Sequence, residues 1–251
     1  MKNRAIASAF IIAVACGAIG HAQTGALKVL ASNGFRAVMD ELMPRCEKAI
    51  GRHVSTDYGT STSLLQRING GEAFDVAVST TEAMDDLVKS GKVTAATRTA
   101  LARSGIGVGS RAGAGKPDIK TVESLKRVLL SAKSITYAGD GASRPHIDSM
   151  FDALGITKEM KAKTILEQGS VRSAARVASG DAELLITLIS EILPAPGVEF
   201  VAPLPERFQH YVSFAAAAGK SSALADAGAK LIACLSGPDV MSTLKAKGME
   251  R

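Results

Sequence analysis

Four short stretches of the sequence place glycine, hydroxyl and amide groups directly before a predicted helix. At such a helix start the unpaired backbone N–H groups and the positive end of the helix dipole attract an anion, and glycine lets the backbone approach a ligand closely. One stretch alone is explained by helix capping, because Ser, Thr and Asn are good N-cap residues. Four of them together indicate a binding site for a small anion. The stretches are residues 31–34, 58–63, 139–145 and 169–172.

The candidate ligand-binding residues lie within or beside these stretches. Arg144 and Arg172 either provide charge-assisted hydrogen bonds to a carboxylate or are exposed surface residues, and Pro145 favours a first helical turn that places Arg144 at a helix start. His146 is the only histidine near a predicted turn of the site. It is either a possible base or an ordinary helix residue with no role in proton transfer. No catalytic residue is assigned. The candidate set is Ser32, Asn33, Gly34, Thr60, Ser61, Ser143, Arg144, His146, Val171 and Arg172.

Strand and helix patterns alternate along the chain. Residues 27–31 form a short apolar run typical of a buried strand, and apolar residues then recur at helical spacing over residues 34–49. Repetition of this alternation predicts an α/β fold in which mostly parallel sheets are flanked by helices. Ligands of such sheets bind beyond the carboxyl ends of the strands, where the four stretches lie.

Changes in composition divide the chain into two units. The glycine-rich residues 105–109 have little side-chain bulk and indicate a crossing between the units, and the prolines at 203 and 205 mark a second break. We therefore expect lobe I to comprise residues 23–104 plus 206–251, and lobe II residues 105–205.

Two local features are also predicted. Ser79 and Glu82 have the spacing of a capping box for the helix that follows. Residues 101–103 are expected to end a short helix.

The N-terminus has the pattern of a signal peptide. Lys2 and Arg4 precede an apolar stretch over residues 5–19, and small residues follow, so we expect cleavage after Ala22 and a periplasmic protein. Lipidation at Cys16 is the weaker alternative. No later stretch is long enough to span a membrane, which requires about 20 apolar residues.

Composition excludes several classes of function. Without Lys2 and Arg4 the formal charge falls from +6 to +4, and no basic run indicates nucleic-acid binding. Aromatic residues make up 4% of the chain and Trp is absent, which disfavours a sugar ligand.

Cys46 and Cys234 form either a disulfide or two separately buried thiols, the latter slightly favoured. No spacing of Cys or His indicates a metal site, and no cofactor is expected.

Several motifs resemble one known family. The similarity is to the molybdate-binding-protein-like family of periplasmic solute-binding proteins, over nearly the whole mature chain, and its motifs are residues 31–34, 59–64, 70–76, 171–172, 237–238 and 247–249. The resemblance implies the type II fold, in which two lobes close on a ligand.

The resemblance also implies which residues hold the ligand. Ser61, Ser143 and Val171 match family positions that bind an oxyanion through a hydroxyl or a backbone N–H, whereas Gly34 stands at the first-turn serine and Leu188 falls close to a tyrosine. Two donors to molybdate are therefore altered or lost. Because a planar carboxylate requires bidentate donors, this favours an organic carboxylate over molybdate.

Two functions follow from these observations. The first is a binding protein that delivers a small anion to an ABC-type permease, acting as a monomer without nucleic acid, membrane span or cofactor. The alternative is a periplasmic isomerase on the same fold, because the sequence is also similar to aconitate isomerase, which moves a double bond of a tricarboxylate by proton transfer.

Overall fold

The computed structural model describes residues 25–251 and shows strands alternating with helices. The predicted signal peptide and Cys16 lie outside the described residues. The strands are β1 Leu27–Ser32, β2 Val54–Gly59, β3 Val76–Thr80, β4 Thr99–Arg111, β5 Ile135–Ala138, β6 Thr164–Glu167, β7 Leu184–Leu188, β8 Val198–Pro203 and β9 Tyr211–Ala218. The α-helices are α1 Arg36–Ile50, α2 Ser61–Asn69, α3 Thr81–Lys89, α4 Val122–Ser131, α5 Arg144–Leu154, α6 Thr157–Lys163, α7 Ser170–Ser179, α8 Ile189–Ile192, α9 Ala225–Ser236 and α10 Met241–Ala246.

Strand β4 connects two groups of strands. The strand order is β2-β1-β3-β9-β4-β7-β5-β6, with β8 also paired to β4. The first part of β4, from Thr99 to Gly105, pairs with β9, and the part from Ile106 onwards pairs with β7 and β8. The pairs β1–β2, β1–β3, β5–β6 and β5–β7 are parallel, whereas every antiparallel pair includes β4 or β9. Helices flank these strands, which is the predicted α/β, two-lobed fold.

The parallel pairing of β1 with β2 brings the first two predicted turns together. Strand β1 ends at Ser32 and pairs in parallel with β2, so that Ser32 lies opposite Gly59. A helix follows each of these strands directly. The 3₁₀ helix Asn33–Phe35 leads from β1 into α1, and Thr60 is the N-cap of α2. Buried aromatic rings support this edge of the sheet, since Phe35 and Phe214 pack with their ring centres 6.1 Å apart.

The cysteines are joined in a disulfide, so the slight preference for separate thiols was wrong. The Cα atoms of Cys46 and Cys234 lie 5.8 Å apart, and the bond connects α1 to α9. Cys46 is on the apolar face of α1, together with Val38, Met39 and Leu42. Cys46 is buried as its apolar spacing predicts, Cys234 is partly buried, and the packing of α1 on α9 brings the pair together.

Two local predictions were wrong. Residues 101–103 lie in β4 and do not end a helix, because pairing with β9 determines their conformation. Thr80, not Ser79, caps α3: the Thr80 Oγ1 accepts a hydrogen bond from the Ala83 N–H at 3.4 Å. Ser79 belongs to the fully buried end of β3, where it has extended backbone.

None of the helices within residues 25–251 is long and apolar enough to span a membrane.

Candidate functional site

The four predicted turns meet around a small cavity. It lies at the carboxyl ends of β1, β2, β5 and β7, and its volume is about 20 Å³. Six of the ten candidate residues line it, and the buried side chains of Leu188 and Phe214 form apolar walls. The six candidates are Ser32, Asn33, Gly34, Thr60, Ser61 and Ser143. We call this space the inner cavity.

Buried hydroxyl groups hold the first two turns together. The Ser61 Oγ donates to the Ser32 Oγ at 3.2 Å and accepts from the Thr80 N–H at 3.2 Å. The Thr60 Oγ1 accepts from the Ser63 N–H at 3.1 Å, which caps α2. These bonds fix a set of donors at the start of α2, where the helix dipole is positive.

The third turn adds a hydroxyl that is not used for capping. Ser143 precedes α5 and is 2% exposed, and its side chain makes no capping bond. Pro145 stands in the first turn of α5, as predicted, and Arg144 is the first residue of that helix. The Ser143 hydroxyl therefore faces the inner cavity with its hydrogen-bonding capacity available.

Asp140 connects three of the four turns, and sequence reasoning missed it. Its Oδ2 accepts from the Thr60 Oγ1 at 3.0 Å, and its Oδ1 accepts from the Gly169 N–H at 3.0 Å. A second bond between distant turns runs from the Ser190 Oγ to the Gly34 carbonyl at 2.8 Å. Asp140 lies inside the predicted turn of residues 139–145, and this position was the sequence signal that could have identified it.

Glu191 is a carboxyl group in the wall of the inner cavity, and it was also missed. Its Oε1 accepts from the Ser170 Oγ at 2.7 Å, and its Oε2 accepts from the Thr187 Oγ1. Burial raises the pKa of Glu191 above its usual range, the charge of Asp140 adds to the rise, and the bonds from Thr187, Ser170 and the Leu188 backbone oppose it. The cavity therefore combines neutral donors with one acid whose proton is held more tightly than usual.

Four candidate residues do not line the inner cavity. The Arg144 Nη1 donates to the Gly139 carbonyl at 2.6 Å and its Nε pairs with Asp148 at 3.3 Å. Val171 and Arg172 are exposed at the start of α7. His146 stacks on His210 with ring centres 3.4 Å apart; burial lowers its pKa, the charge of His210 adds to this and Glu82 opposes it. Their roles in binding stay predictions.

Gly34 leaves no space for a side chain. A Cβ atom at this position would lie 2.5 Å from the Phe214 Cζ and 3.0 Å from the Leu188 Cδ1. Gly34→Ala should therefore lower the free energy of unfolding by about 1–3 kcal/mol through overpacking, as measured by urea unfolding. The matched control is Gly25→Ala, where a Cβ meets nothing within 4 Å. Equal stability of the two variants would contradict the close packing.

The fold and the site define a class of protein that holds a small ligand between two α/β lobes. The chain belongs to the family of bacterial extracellular solute-binding proteins, whose model matches residues 27–250. It is 29% identical over 232 residues to the aconitate isomerase of a Pseudomonas species, across 89% of this chain and 87% of that protein.

Solved structures show the same fold. The periplasmic molybdate-binding protein of Azotobacter vinelandii superposes with a TM-score of 0.77 at 20% identity, over 90% of this chain and 99% of that one. A sulfate-binding protein of Mycobacterium tuberculosis superposes with a TM-score of 0.68 at 19% identity, over 89% and 86% of the chains. These likenesses confirm the fold, and the family model and the relatives together bear out the predicted resemblance.

Proposed function

We propose that the chain is a periplasmic binding protein that closes on a small organic carboxylate and delivers it to an ABC-type permease. The observation that carries this proposal is the inner cavity, where buried hydroxyl groups from turns of both predicted lobes converge. Hydroxyl and backbone N–H donors at helix starts can bind an anion without a cationic side chain. Leu188 lines the cavity near the position of the family's tyrosine and offers no hydroxyl, which favours a carboxylate over molybdate.

Export and closure complete the proposal. Cleavage after Ala22 would release the mature chain into the periplasm, and lobe I (residues 23–104 plus 206–251) would close on lobe II (residues 105–205). The Asp140–Thr60 and Ser190–Gly34 hydrogen bonds are the contacts that support the closed arrangement, and the permease would recognise that arrangement.

Calorimetry with a panel of anions tests the binding function. We expect the wild-type chain to bind trans-aconitate or citrate more tightly than molybdate or sulfate. Ser143→Ala should weaken carboxylate binding about 10- to 150-fold, because a hydrogen bond to a charged group contributes about 1.5–3 kcal/mol. The control is Ser131→Ala, at an exposed position on α4. A folded protein that binds none of these anions would reject the proposal.

The second candidate function is isomerisation of a tricarboxylate at the same site. It is supported by the similarity to aconitate isomerase and by Glu191 in the cavity wall. Moving a double bond next to a carboxylate requires a group that removes a proton and returns it at another carbon. Glu191 is a carboxyl group in the cavity wall that could exchange a proton, and burial raises its pKa above the usual range.

A further inference from the structure

A larger cavity adjoins the inner one. It lies between α1 and α7, has a volume of about 510 Å³, and shares Asn33, Ser170 and Glu191 with the inner cavity. Alanine residues of α7 and the segment Pro194–Pro196 make its walls largely apolar. We call this space the outer cavity. It has room for the body of an organic ligand whose end reaches the inner cavity.

Arg36 supplies the positive charge of the outer cavity. It is the first residue of α1, and its guanidinium carbon lies 4.2 Å from the centre of the Tyr58 ring. The Arg36 Nε is buried and has no acceptor within residues 25–251, and Arg36 makes no ion pair with that part of the chain. A guanidinium stacked on an aromatic ring presents a planar fork that matches a carboxylate.

The acidic groups near Arg36 are already satisfied. Asp40 also lines the outer cavity, but its Oδ1 accepts from the Tyr58 hydroxyl at 2.5 Å and its side chain is exposed to solvent. Glu191 accepts bonds from two hydroxyl groups at the boundary with the inner cavity. Among the residues that line the outer cavity, Arg36 is therefore the one whose hydrogen-bond donors need an anionic acceptor.

The volumes of the two cavities indicate which part of the ligand each cavity can hold. The inner cavity, at about 20 Å³, accommodates one water-sized group, and a single carboxylate oxygen is of that size. We propose that the ligand is a polycarboxylate that spans both cavities, with one carboxylate reaching an oxygen to the inner hydroxyl groups and a second carboxylate on Arg36. This inference rests on the proposed function and assigns the second carboxylate to a residue that the sequence motifs did not mark.

Arg36→Gln tests the second carboxylate position. Calorimetry should show that Arg36→Gln weakens trans-aconitate binding about tenfold or more, whereas Arg45→Gln leaves it within about twofold, because only the first charge lies on the bound anion. Arg45 is an exposed residue of the same helix, so both variants lose one positive charge. Wild type should bind trans-aconitate about tenfold more tightly than crotonate, which has one carboxylate.

The outcomes separate this inference from the proposed function. If wild type binds no carboxylate, the proposed function fails; if it binds trans-aconitate and Arg36→Gln matches Arg45→Gln, only the Arg36 assignment fails. Should Arg36→Gln not fold, Ala175→Trp decides, because Ala175 is exposed on the α7 wall of the outer cavity and a tryptophan there fills it. Unchanged trans-aconitate affinity in Ala175→Trp would overturn the inference.

Discussion

Reduction of the Cys46–Cys234 disulfide is expected to lower the free energy of unfolding by about 2–5 kcal/mol. The bond joins α1 near the start of the described chain to α9 near its end, with a sequence separation of 188 residues. Cross-linking so long a loop removes much of the conformational freedom of the unfolded chain, and the effect grows with loop length. An exported protein keeps such a bond, because its compartment is oxidising.

Urea unfolding with and without a thiol reductant measures this effect. The midpoint should shift to lower urea on reduction, and the double variant Cys46→Ala with Cys234→Ala should resemble the reduced wild type in both conditions. The double variant is the control, since it has no disulfide for the reductant to break. Identical midpoints for oxidised and reduced wild type would contradict a stabilising role.

The turns of the site could be predicted because their signals are local. Ser32, Thr60 and Ser143 each lie at the junction between a strand and the following helix, and these junctions from both groups of strands meet at the inner cavity. The cysteine pair could not be assigned from sequence, because its partners lie 188 residues apart and only the packing of α1 on α9 decides between a disulfide and two thiols.

The residues that sequence reasoning missed lack a local signal. Glu191 stands on α8, a helix of four residues that is too short for a periodic pattern. Arg36 resembles any polar residue in the first turn of an amphipathic helix, and only the neighbouring Tyr58 ring and outer cavity distinguish it. Arg144 was placed correctly at a helix start, but the Gly139 carbonyl and Asp148 determine where its side chain lies.

On the second candidate function, Glu191→Gln is expected to abolish isomerisation of aconitate while the ligand still binds. Glutamine keeps the size of the side chain but cannot take up or release a proton, so turnover between cis- and trans-aconitate should fall about 10²–10⁴-fold. Affinity for trans-aconitate should change little, because the Ser61 and Ser143 hydroxyl groups and the proposed contact with Arg36 do not involve the Glu191 carboxylate. Since the pKa of Glu191 is raised, its basic form is populated only at higher pH, and the wild-type rate should rise with pH through that pKa.

Absorbance of the aconitate isomers measures the rate, and calorimetry of each variant measures binding. Glu206→Gln is the matched control, because Glu206 is exposed and lies outside both cavities. If Glu191→Gln converts aconitate at the wild-type rate, the proposed role of Glu191 in proton transfer is rejected. An unchanged spectrum with wild type at high concentration, together with carboxylate binding, would reject isomerisation of aconitate. The proposed binding function would stand, because ligand binding at the inner cavity requires no proton transfer.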